Sequence, residues 1–381
     1  MTKAIHFAFK AQATCPHRLK GIISKFANKL IFNKPFTGDQ KRVLIIFDDN
    51  KISISQIYPF IYYWREIQSR YNVVYRCLSL QNFLSDQATQ LSKADIVLVQ
   101  TWFDVDKNFL DTLFGKIRKR HPDAFITYLD SFAPTDLRLA QYLTDHIDLY
   151  VKKHLLSDLS AYAKPTLGDT NLVEFYSNLY HLDQPVVDWN VPDGFAENIV
   201  IGPGFFTSPT MLDKFSEPYN YSNDRPIDIH SRTATTGSPW FAAMRQHAEK
   251  SVKSLSGLQI KTQPGVPLKQ YFKELYHSKT CFSPFGAGEV CWRDIEAMMT
   301  GSVLVKPDMS HLAIEPDIFI PNETYVPVAW DYSDLAEKVL PLLADEDMRR
   351  EITRKAYNTI RSYLREARFV SQMKVVFENS H

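Results

Sequence analysis

The sequence predicts an α/β protein of two doubly wound domains. Three observations predict it. Strand-like runs alternate with helical stretches through both halves of the chain. Several of those strands, Lys41 to Phe47 first among them, are nearly continuous apolar runs, the composition of a parallel sheet covered on both faces. The third is length, because 381 residues exceed what one ordinary hydrophobic core holds.

Taken in order, the chain opens with a basic segment over 1–40. Within it Ile23, Phe26, Ala27, Leu30 and Ile31 fall on one helical stripe flanked by Lys20, Lys25, Lys29 and Lys34. Such a stripe either packs on the protein body or lies on an anionic membrane surface, and packing is the commoner outcome. The first domain spans 41–215. Its strands are expected at Lys41 to Phe47, Val73 to Cys77, Ala94 to Thr101, Phe125 to Leu129 and Leu149 to Val151, with helices over 55–71, 107–120 and 136–143 between them. Residues 164–223, rich in Pro, Gly, Asn and Asp, read as an inserted loop region and linker. The second domain, 216–345, restarts the winding with a strand over 226–232. A helix over 240–255, a strand over 258–262 and a helix over 268–277 follow it. The strand Thr280 to Ser283 comes next, then a glycine loop, a helix from about Val290 to the Gly301 cap, and a strand ending at Val305. A late strand over 325–328 and helices over 332–343 and 346–377 close the chain.

Composition narrows the function classes. A net charge of +1 gives no electrostatic reason for a nucleic-acid partner. Cys15, Cys77, Cys281 and Cys291 show no metal-ligand spacing, which suits a reducing cytoplasm. No apolar run reaches membrane-spanning length, and no signal-peptide core follows the first residues, so the expected location is cytoplasmic, with peripheral membrane contact if the basic stripe provides it. The loop after Phe47 lacks glycine, which argues against a dinucleotide dehydrogenase. Asp104-Val105-Asp106 has an Asp-x-Asp spacing, but Asp106 directly precedes a helix and reads better as its cap.

The most informative stretch is 280–305. Gly286 and Gly288 allow close backbone approach. The next helix points its free amides at that loop, a place for an anion such as a diphosphate. Arg293 and Glu296 lie three apart and share a helical face. Upstream, Asp228, His230 and Arg232 alternate along one strand and so share a side of the sheet. That side either lines a cleft or is a solvated edge. In the first reading Asp228 is a candidate base or nucleophile, and His230 or Arg232 steadies charge on a leaving phosphate.

Ser283-Pro-x-Gly-x-x-Glu289, then Arg293-x-x-Glu296-Ala, then Gly301-x-Val-x-Val resembles the donor-binding core of GT-B glycosyltransferases, nearest in spacing to the exostosin-like group. The resemblance rests on residues 280–305. It implies two Rossmann-like domains facing across a cleft, with the C-terminal helix crossing back to the first. It also implies transfer from a nucleotide-sugar donor to a polysaccharide, lipopolysaccharide or lipid-linked glycan acceptor, with no cofactor and no essential metal. Glu296 would hold the donor ribose, Arg293 and the loop amides the phosphates, with Ser283, Gly286, Gly288, Glu289 and Arg232 around them. In inverting members the base comes from the first domain, where Asp130 at a strand's carboxyl end is the first choice and Asp49 the next. Glu289 and Glu296 lie seven apart, where the common retaining pattern spaces two glutamates by eight, so stereochemistry is not carried over. Two alternatives share the fold: a transferase using a CMP-linked ulosonic acid, with Asp228 as the reactive carboxylate, and a non-catalytic nucleotide- or glycan-binding protein.

Overall fold

The computed structural model describes residues 36, 38–85 and 93–378, so the basic stripe expected over 20–34 lies outside the described residues. The first domain is built on a six-stranded sheet. Its strands are β1 (Lys41–Phe47), β2 (Val73–Ser79), β3 (Ile96–Val99), β4 (Phe125–Asp130), β5 (Leu149–Lys152) and β6 (Ile199–Ile201), in the order β2-β1-β3-β4-β5-β6. Every pairing is parallel. The apolar run of β1 is explained by helices on both faces, with Val43 to Ile46 sealed from solvent.

The long helix expected over 55–71 begins earlier and is split in two, α1 (Lys51–Tyr62) and α2 (Trp64–Tyr71). Asn50 starts α1, its side-chain oxygen accepting from the Ile52 and Ser53 amides at 2.9 Å. Pro59 inside α1 leaves the Ser55 carbonyl without its helical donor. The Thr207 hydroxyl donates to that carbonyl at 2.9 Å. Asp106 caps α3 (Lys107–Arg120) by accepting from the Phe109 amide at 2.7 Å.

The region read as loop and linker holds more structure than its composition suggested. Thr170 caps a helix, α4 (Asn171–Tyr180), and Ile199–Ile201 forms β6 at the sheet edge. A three-residue strand between Asn198 and Gly202 is too short for period-2 counting to find.

The second domain carries β7 (Ile227–His230), α5 (Pro239–Lys253), β8 (Ile260–Lys261), α6 (Leu268–Tyr276), β9 (Ser278–Phe282), α7 (Trp292–Thr300), β10 (Val303–Pro307) and β11 (Val326–Val328). The sheet order is β8-β7-β9-β10-β11, again all parallel. In each sheet the strand order reverses beside its first strand, between β1 and β3 in one domain and between β7 and β9 in the other. Ligands of open α/β sheets bind beyond the carboxyl ends of the strands at such points.

After α8 (Leu335–Ala344) the chain forms α9 (Glu346–Arg365), α10 (Arg368–Gln372) and α11 (Lys374–Glu378), where one continuous helix was expected. The break falls at Ala367, in the left-handed conformation with φ of 49°. The turn lays the last two helices on the first domain. The Tyr63 hydroxyl donates to the Leu364 carbonyl in the last turn of α9 at 2.6 Å, the Tyr71 hydroxyl to the Val370 carbonyl of α10 at 2.8 Å, and Phe369 meets Phe60 edge-on at 4.8 Å. The domains also join directly, through an antiparallel pairing of Leu155–Leu156 with Leu312–Ala313.

Candidate functional site

The strongest site lies at the reversal point of the second sheet. A cavity of about 440 Å³ opens there, with Arg232, Arg245, Val266, Tyr271, Arg293 and Glu296 among its walls. Arg293 and Glu296 come from the first turns of α7, Arg245 from the buried side of α5, and Tyr271 from α6. The Tyr271 hydroxyl donates to Glu296 Oε2 at 2.7 Å. Burial raises the Glu296 carboxyl above its ordinary value, against that hydrogen bond and the charge of Arg293.

The cations of this cavity divide into two kinds. Arg232 is spoken for, its Nε 2.5 Å from a Glu274 oxygen. Arg245 is only 5% exposed, its Nε lacks a hydrogen-bond partner, and it forms no ion pair among the described residues. Burial pushes its guanidinium down to about 10. Arg293 donates to the Arg232 carbonyl at 3.0 Å, yet its own Nε is also buried without a partner. A buried N–H without an acceptor is costly, and two such Nε groups, one on each of these arginines, leave donors on the cavity wall that an anion could fill. From the first domain Lys51 reaches across, its Nζ 4.7 Å from the ring centre of Trp292, and its charge favours ionised Glu296.

The two loop glycines are packed closely against protein, and Gly286 also lies beside Arg245, whose guanidinium a Cβ there would approach to 3.8 Å. Gly286 donates its amide to the Gly288 carbonyl at 3.0 Å, closing a tight turn. A Cβ on Gly288 would lie 2.0 Å from the Ala133 carbonyl oxygen, and one on Gly286 would lie 2.9 Å from Cys291 Sγ. These glycines fit the loop against the first domain and against α7, and the close approach at Gly288 is to protein backbone. Ser283 is wholly buried. Its hydroxyl donates to Asp294 at 2.6 Å, and the same carboxylate accepts from the Cys291 amide at 2.8 Å and pairs with Lys306 at 3.1 Å. The side chain expected near the donor instead holds the start of α7. Glu289 is also wholly buried and turned to the first domain, accepting from the Thr135 hydroxyl at 3.0 Å with His154 Nε2 3.7 Å away.

The groups expected to carry catalysis are engaged elsewhere. Asp130 is 1% exposed and accepts from Lys152 Nζ at 2.5 Å, the Tyr150 hydroxyl at 2.6 Å and the Phe132 amide at 2.8 Å. A carboxylate with three donors and no exposed face is not open to an acceptor hydroxyl. Asp228 pairs with Lys279 at 2.7 Å and accepts from the Gln259 amide at 2.8 Å, away from the cavity wall. His230 is fully buried edge-on against Tyr271 at 5.0 Å, its nitrogens without hydrogen bonds, and burial pushes it down to about 4. Of the three, only Arg232, just past the end of β7, lines the cavity.

Sequence reasoning missed Arg245, Tyr271, Lys51 and Asp48. Arg245 had a legible signal: Met244, Ala248 and Val252 form the buried stripe of α5, and the arginine sits beside it on the inner side. Asp48, at the carboxyl end of β1, is half-buried and bonded to Asn50 and Ser53, and burial raises its carboxyl.

No protein-family model matches the chain, and no curated protein sequence matches it. Solved structures with a similar chain path include a glycosyltransferase from Rickettsia africae ESF-5 (12% identity, 90% of this chain and 100% of that one, TM-score 0.46) and TarM (11%, 87% and 59%, 0.45). Sucrose-phosphate synthase from Thermosynechococcus elongatus is another (12%, 89% and 98%, 0.44). The chain spans 59% of the length of TarM.

Proposed function

We propose that the protein is a GT-B glycosyltransferase that moves a sugar from a nucleotide-sugar donor to a glycan or lipid-linked glycan acceptor. The carrying observation is the pair Arg245 and Arg293, two guanidiniums with unfilled donors on a cavity that Glu296 also lines. A nucleoside diphosphate brings what those walls lack: phosphate oxygens for the arginines and ribose hydroxyls for the carboxylate that Tyr271 orients.

In the reaction a base removes the acceptor hydroxyl proton, the oxygen attacks the anomeric carbon, and the carbon–oxygen bond to the diphosphate breaks with its electron pair leaving on the diphosphate. Arg245, Arg293 and Lys51 stabilise that departing charge, so the scheme calls for no metal. Asp48 is the base in this reading, since it stands at the reversal point of the first sheet with a carboxyl that burial raises. The acceptor is assigned as a growing surface polysaccharide or lipopolysaccharide, met at the cytoplasmic face of a membrane.

A thermal-shift panel of UDP-, GDP-, CMP- and dTDP-linked sugars, followed by turnover with the best binder, tests the reading. Stabilisation by one nucleotide class and product formation support it. Binding with no turnover on any acceptor would favour a binding protein on the same fold, and no binding at all would end the proposal.

A further inference from the structure

A second cavity, of about 200 Å³, lies at the reversal point of the first sheet. Its walls leave the carboxyl ends of three neighbouring strands: Ile52 after β1, Trp102 and Phe103 after β3, and Phe132 after β4. Ala287, from the turn between Gly286 and Gly288, forms its wall on the second domain. The same turn lies against the other cavity, since a Cβ on Gly286 would come within 3.8 Å of the Arg245 guanidinium.

The chemistry of this cavity is the opposite of its neighbour's. Trp102, Phe103 and Phe132 meet one another at ring-centre distances of 4.9 to 5.9 Å. The one charged wall residue, Arg138, is already satisfied. It bonds Asp136 at 2.6 and 2.8 Å, approaches Asp169 at 3.7 Å, and lies over the rings of Phe103 and Trp189 at 5.5 and 4.9 Å. Arg138 is the one charge on these walls and it is already paired, so the pocket offers little to an anion. Phe103 is nonetheless 39% exposed, an apolar ring held open to solvent at the mouth.

We infer that this pocket seats an apolar, ring-sized group of the acceptor, next to the hydroxyl that receives the sugar. The inference rests on the glycosyltransferase reading and, of the acceptors named there, selects a lipid-linked one over a growing polysaccharide: the acceptor is an amphiphile with an apolar aglycone, and a bare sugar is a poor one. The aromatic walls hold the aglycone, the hydroxyl beside it faces the Gly286–Gly288 turn, and the donor lies beyond that turn.

Matched pairs of 4-nitrophenyl and methyl glycosides of glucose, galactose and N-acetylglucosamine, titrated against the full chain by calorimetry, test it, because each pair differs only in the apolar group. The expected result is at least tenfold tighter binding of the 4-nitrophenyl member, about 1.4 kcal/mol. Phe103→Ser should cut that preference below twofold, whereas Leu340→Ser, which removes an exposed side chain of α8, should leave it intact. Equal binding within the pairs, or a preference that survives Phe103→Ser, overturns the inference. Nucleotide binding measured on the same samples decides the donor reading separately: aryl preference with no nucleotide binding would leave an apolar pocket and remove its role in glycosyl transfer.

Discussion

The Tyr271 hydroxyl and the Glu296 carboxylate lie 2.7 Å apart, and that bond turns a half-buried acid to a fixed angle on the wall it shares with Arg293. It connects α6 to α7, two helices that the sequence separates by a strand and a loop. Orientation here is set between elements, and the ribose-binding role assigned to Glu296 depends on it.

Glu296→Ala should therefore weaken binding of the best nucleotide by about 10- to 100-fold, the range for hydrogen bonds to a charged group. Tyr271→Phe should weaken it less while leaving the carboxylate in place. Isothermal titration of both variants checks this, and unchanged affinity in Glu296→Ala removes the ribose role.

Gly288→Ala should destabilise the protein, because the new Cβ meets the Ala133 carbonyl oxygen, backbone that cannot swing aside. A loss of about 1–3 kcal/mol is expected by chemical denaturation. If the glycine instead served the ligand, the variant would keep its stability and lose only nucleotide affinity.

Asp130→Asn leaves Lys152 buried without its counter-charge, and breaking such a pair costs about 3–5 kcal/mol. The measurement is the unfolding midpoint beside turnover. A variant of wild-type stability with no turnover would return Asp130 to the role of base.

His230 makes stability depend on acid. Its native pKa of about 4 lies below the ordinary imidazole value near 6.5, so the unfolded chain binds the extra proton. Stability contributed by the neutral ring is complete above about pH 6.5 and falls as pH drops toward 4, by about 3 kcal/mol in all. His230→Gln should flatten that part of the profile, and an unchanged slope would contradict the assignment.

How much of this was legible in the sequence follows from where each signal lives. The winding and both parallel sheets were legible because apolar runs such as Val43 to Ile46 report burial locally. That Arg293 and Glu296 share one helix face on one cavity was legible from helical spacing, which the chain alone fixes. Asp130 and Asp228 looked available because sequence gives a carboxylate's place on a strand and not its partners. Lys152 and Lys279 come from neighbouring strands, and pairing between strands is set only by the sheet register. Ser283 and Glu289 are likewise held by partners the sequence does not show, one by Asp294 of the next helix and the other by Thr135 of the first domain.

The central claim is that Arg245 and Arg293 await a diphosphate. Titration of the best nucleoside diphosphate and its parent nucleoside against the wild type, Arg245→Met and Arg293→Gln tests it most directly, with thermal unfolding of each free protein alongside. The account predicts that the wild type favours the diphosphate by at least 100-fold and that either substitution removes most of that preference. Arg245→Met should also raise the unfolding temperature, since a buried cation without a partner has been removed. A diphosphate preference that persists in both variants would contradict it.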